Sequence, residues 1–113
     1  MKIVDSPISW DDLASMAQDG FGNLVKAVVD VEREIMAIDG ELHADEEALL
    51  LENGSAQADL WGINLYPELP DGERVEFDSM INIRPSQGNR SRGVDDPEIR
   101  ERILGLVDHL VNP

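Results

Sequence analysis

Residues 24–38, Leu24-Val25-Lys26-Ala27-Val28-Val29-Asp30-Val31-Glu32-Arg33-Glu34-Ile35-Met36-Ala37-Ile38, decide the fold. Leu24 to Val31 are rich in β-branched residues and read as a strand. Glu34 to Ile38 return as a second strand through Glu32-Arg33, and Asp39-Gly40 turns the chain away. A hairpin of this kind starts an antiparallel sheet.

A second pair of strands follows. Leu60–Tyr66 and Arg74–Arg84 flank the turn signal Pro70-Asp71-Gly72. Alternation sorts their side chains. Trp61, Ile63, Leu65, Val75, Phe77, Ile81 and Ile83 share one parity and read as core. Asn64, Tyr66, Glu76, Asp78, Asn82 and Arg84 share the other and read as a polar face, while Ser79 breaks the apolar set.

Helices frame these hairpins. Ser9 caps a helix expected over 10–19, with Asp12 closing a capping box, Ile8 and Leu13 forming a staple, and Gly20 as the stop. Residues 44–53 admit two readings. Asp45 would cap a short helix ended by Gly54, or Asn53-Gly54 would turn a hairpin; Ala48 to Leu51 contains no β-branched residue, which favours the helix. Asp96-Pro97 opens the last helix, with Ile99, Ile103, Leu106, Val107 and Leu110 as its buried stripe. Gly105 within it marks a point of close packing. The order is α-ββ-α-ββ-α. It gives a single α+β domain over residues 1–113, with a mainly antiparallel sheet of about four strands covered by helices.

Composition narrows the function. The chain has no cysteine, which excludes disulfides, thiol redox chemistry, cysteine nucleophiles and thiolate zinc sites, and fits a cytoplasmic location. It has neither an apolar leader segment nor an apolar run of membrane-spanning length, so no membrane partner is expected. The net charge is −15, which repels duplex nucleic acid and anionic membranes at long range.

That charge is unevenly placed. Residues 1–83 hold 4 basic and 19 acidic side chains, whereas residues 84–113 hold 5 of each. The segment from Ile83 to Gly93 carries three arginines and no acid. Arg84, Arg90 and Arg92, with Ser86, Gln87, Asn89 and Ser91, have the donors to grip an oxyanion near a helix N-terminus. The plain alternative pairs these arginines with the acidic body. No Walker pattern is present.

His43 lies among carboxylates, and His43-x-Asp45 would place two metal ligands on an extended segment. Its spacing matches no known metal motif, and His109 lies far away in the last helix, so neither a metal nor a cofactor is expected. His43 also suits a general base beside the arginine loop. Asn64, Tyr66, Asn82 and Arg84, on one sheet face, are placed to line a polar pocket. No Gly-x-Ser-x-Gly elbow surrounds Ser79, which excludes that kind of serine hydrolase, and no catalytic residue is assigned.

The strings Lys26–Glu32, Gly40–Asp45, Leu60–Pro67 and Ile81–Gly93 together resemble a family of small bacterial and archaeal proteins described as a domain of unknown function. The resemblance covers nearly the whole length. It implies a stand-alone soluble prokaryotic protein and supplies no activity, cofactor or catalytic residue. Three functions therefore follow from the residues alone. The leading one is a binding protein for a small anionic molecule, bearing a phosphate or carboxylate, at the loop Arg84–Arg92. The second is a hydrolase or transferase using His43 with that loop. The third is a ligand-free interaction module or homodimer.

Overall fold

A computed structural model describes residues 1–113. Five strands form the main sheet: β1 (Lys2–Val4), β3 (Val25–Asp30), β4 (Ile35–Ile38), β5 (Leu60–Leu65) and β6 (Val75–Glu76). Their order is β1-β4-β3-β5-β6, and every pair is antiparallel. Two further strands, β2 (Ile8–Ser9) and β7 (Val111–Asn112), pair in parallel and join the two ends of the chain. The α+β class and the antiparallel sheet are as the sequence leads one to expect. The short strands β1, β2 and β7 add to the expected four, being too brief to show a period.

The helices are α1 (Trp10–Asp19), α2 (His43–Glu52) and α3 (Pro97–Leu110). Ser9 and Asp12 form the expected capping box on α1, and Asp96 caps α3 by accepting from the Glu98 N–H. The ambiguous stretch is helical. Its N-cap is Leu42 rather than Asp45, which lies in the first turn. The earlier start places His43 inside α2, against the sheet.

Both faces of the sheet are covered. Val25, Ala27 and Val29 of β3 and Trp61, Ile63 and Leu65 of β5 meet Leu13 and Ala17 of α1 and Ile103, Leu106, Val107 and Leu110 of α3 in the main core. The opposite parity, Val28 of β3, Ala37 of β4 and Leu60 of β5, meets Leu50 of α2 in a smaller core. No helix is long and apolar enough to cross a membrane.

The expected strand over 74–84 survives only as β6. Past Glu76 the chain lifts off the sheet edge, and 3₁₀ turns occupy Met80–Asn82 and Pro85–Gln87. Ser79, the residue that broke the apolar alternation, begins the first of them: its Oγ accepts from the Ile81 N–H at 3.3 Å. Asn82 then replaces the missing strand. Its Oδ1 accepts from the Gly62 N–H at 2.8 Å and its Nδ2 donates to the Gly62 carbonyl at 2.9 Å. One primary amide thus satisfies both backbone groups of Gly62 that a longer β6 would have paired. Accordingly Ile81 packs on the small core and Ile83 is exposed, instead of joining the main core. Gly105 also departs from expectation: a Cβ there would meet nothing within 4 Å.

Candidate functional site

The arginine-rich loop is built mainly by its own amides. Asn89 is buried; its Nδ2 donates to the Asn82 and Gly93 carbonyls at 2.7 and 2.9 Å, and its Oδ1 accepts from the Asp95 N–H at 2.8 Å. Arg84 lies 4.3 Å from the Trp61 ring centroid and donates to the carbonyls of Gln57 and Leu60. Gln87 accepts from Arg84 at 3.2 Å and donates to the Ala58 carbonyl at 3.3 Å. Ser91 donates to Asp95 at 2.6 Å, and this bond, followed by the Arg90 N–H, holds the Asp95 carboxyl below its ordinary pKa. Ser86 is exposed, and the Arg90 guanidinium is exposed without a carboxylate partner.

Arg92 points elsewhere, and it leads to a cleft. Its Nε donates to Asp78 Oδ1 at 2.7 Å, and both residues line a hollow of about 500 Å³ between the start of α2, the sheet and the segment after β6. Of the ten residues the sequence nominates, His43, Asn64, Tyr66 and Arg92 meet here. Arg84, Ser86, Gln87, Asn89, Arg90 and Ser91 lie outside its walls. Lys26, Glu76, Asp78 and the buried Ser79 complete the polar lining. Glu76 and Asp78 share the parity of Asn64 and Tyr66, so their place was legible. Lys26 carries its own signal in the sequence, a lone cation inside a β-branched run.

Chemistry orients two of these side chains. Asn64 is only 8% exposed, and its Nδ2 donates to Glu76 Oε1 at 2.8 Å and to the Asp78 carbonyl at 3.3 Å. Both partners only accept, so the nitrogen must face them. Asn64 Oδ1 is left buried with no donor. His43 Nε2 lies 2.8 Å from the Ile63 carbonyl, which can only accept, so Nε2 carries the proton. Burial holds the imidazole below its ordinary pKa of 6.5; Lys26 and Arg92 push the same way, against the Ile63 carbonyl and Asp78. At neutral pH His43 is thus a neutral ring with an unprotonated Nδ1.

The remaining groups divide into satisfied and unsatisfied. Tyr66 donates to Glu76 Oε1 at 3.0 Å, and burial first and Glu76 second raise its pKa. Arg92 and Asp78 neutralise each other. Lys26 makes no ion pair; its ammonium lies 5.1 Å from the Phe21 ring centroid. It is the cross-strand partner of Asn64, so the two side chains rise from one face of the sheet about 5 Å apart at Cβ. A cation without a carboxylate partner and a buried acceptor without a donor are therefore carried by cross-strand neighbours on one face of the sheet. Another hollow, of about 400 Å³, is acidic: Asp39, Glu41, Asp45 and Glu52 line it beside Met1.

No curated protein and no solved structure matches the chain. A family model described as Protein of unknown function (DUF5674) matches residues 2–110, nearly the whole length, and the chain belongs to that family.

Proposed function

We propose that the protein binds a small molecule bearing a carboxylate or phosphate in the cleft between α2 and the segment after β6. The observation that carries this reading is Lys26: it is the one cation in the cleft wall without a carboxylate partner. A half-buried lysine of this kind gains most from an incoming anion, because the attraction acts partly out of water. Arg92 adds a second, partly committed donor. The body of the protein repels anions, so saturable binding has to be local.

The test is a titration of phosphate, sulfate, nucleotides and mono- and dicarboxylates, followed by NMR at the Asn64 side-chain amide and the His43 ring. At least one should move these signals saturably at millimolar concentration or below. Lys26→Met and Arg92→Ala should weaken that binding, and Arg90→Ala should leave it unchanged. Shifts confined to Gln87–Gly93, with Arg90 needed, would place the anion on the outer loop. No shifts anywhere would leave the fold as an interaction module.

A catalytic reading has its own observation, the fixed Nε2–H tautomer of His43. Its free Nδ1 is suited to accept a proton from a bound hydroxyl or water. His43→Gln keeps a donor for the Ile63 carbonyl while removing the base. Turnover of a bound ligand that is lost in this variant, with binding retained, would establish catalysis; unchanged behaviour would leave binding alone.

A further inference from the structure

We infer that the cleft ligand is a zwitterion of the amino-acid type, whose ammonium is received by Asn64 and Glu76 while its carboxylate meets Lys26, and whose apolar side chain rests between Leu42 and Met80. The inference rests on the anion reading above and adds the other end of the molecule.

Three observations carry it. The first is the orphan Asn64 Oδ1, a buried acceptor on a residue that lines the cleft and whose Nδ2 is already committed to Glu76 and the Asp78 carbonyl. A buried acceptor of this kind costs free energy until a donor reaches it. An anion cannot supply that donor, whereas an ammonium supplies three. The second is the balance of charge. Lys26 and Arg92 line the cleft with Glu76 and Asp78, so its polar wall is neutral in sum; Arg92 pairs with Asp78, which leaves Lys26 and Glu76 on opposite sides of Asn64 across the sheet. A simple anion would meet two carboxylates as well as its cation. A molecule with both charges meets each with its opposite, and it also escapes the long-range repulsion of a −15 body.

The third observation is at the mouth. Leu42 and Met80 both line the cleft and are 57% and 64% exposed, among the most exposed large apolar side chains of the chain. One precedes α2 and the other opens the 3₁₀ turn after Ser79, so they come from two separate elements lining the same cleft. An apolar side chain carried by the ligand would cover both, and methionine adapts readily to such a guest.

The test begins with the twenty proteinogenic amino acids as probes, read at the Asn64 and His43 signals. Each hit is then compared with its 2-hydroxy acid and with its decarboxylated amine. The amino acid should bind at least about tenfold more tightly than either analogue, as expected when a charge-assisted bond is removed. Leu, Ile, Val, Met or Phe should lead the series. Asn64→Leu should erase the preference over the hydroxy acid. Because Asn64 also ties down the segment after β6, Glu76→Gln is the second variant: on an exposed position it removes charge without volume, and should reduce that preference several-fold. Equal binding of the amino acid and its hydroxy acid would overturn the ammonium assignment while leaving the anion reading intact. Tighter binding of the amine would overturn both, as would the absence of any hit among amino acids, hydroxy acids and phosphates.

Discussion

At the scale of single residues, Gly62 and Glu46 show how closely the second face of the sheet is closed. A Cβ on Gly62 would lie 2.5 Å from Ser79 Cβ and 2.6 Å from its Oγ. The segment that turns off β6 therefore crosses directly over β5. Gly62→Ala should destabilise by about 1–3 kcal/mol in denaturant unfolding, the ordinary cost of overpacking, and should perturb the cleft through Ser79. A neutral effect would mean the segment lifts freely. Glu46 is fully buried, accepts from the Gly40 N–H at 2.9 Å through Oε2, and has no partner at Oε1. Burial pushes its carboxyl from 4.5 to about 9, with Asp39 adding to the rise and the Gly40 N–H, Lys26 and the chain's amino terminus opposing it. The native state then holds a proton that the unfolded chain has released. The resulting stabilisation is full below pH 4.5 and is lost as pH rises toward 9. Glu46→Gln keeps the acceptor and removes the charge. Its stability relative to the parent should thus climb steadily from pH 5 to pH 9, measured by chemical denaturation; a constant difference would mean that Glu46 is ionised in the fold.

At the scale of elements, long periodic segments were legible and segments held by tertiary bonds were not. Helices α1 and α3 carry their own signals, a capping box and an Asp-Pro start, so their bounds follow from local chemistry. The hairpin β3–β4 follows from its β-branched run. The stretch 77–84 misled because its alternation was real but its pairing partner was not a strand; an asparagine side chain did that work, and nothing local announces it. The site divides in the same way. Asn64, Tyr66 and His43 were found by residue type and parity, whereas the inward turn of Arg92, and the outward position of Arg90, depend on how Asn89 folds the loop. Two substitutions test the helices. Gly105→Ala should stabilise α3 by about 1 kcal/mol, since open space surrounds that position. Ser9→Ala should cost about 1 kcal/mol through the lost cap of α1. Thermal or denaturant unfolding of both variants checks the pair, and a destabilised Gly105→Ala would reveal a contact the fold does not show.

At the scale of the whole molecule, charge and connectivity dominate. A body of −15 with only three ion pairs repels itself. Sodium chloride should therefore raise the melting temperature between low and physiological strength, where the screening length falls to about 8 Å. A flat or falling Tm would mean that attractive pairs outweigh the repulsion. The parallel pairing of Ile8 with Val111 and Ser9 with Asn112 has a consequence in time. It closes a ring of about 100 residues, whereas the β3–β4 hairpin, with Asp30 opposite Ile35, closes a loop of four. By chain statistics the larger closure costs roughly 3 kcal/mol more. The clasp between the two ends should form after the hairpin in refolding and open before it in the native state, so the Asn112 amide should exchange with deuterium well before that of Val28.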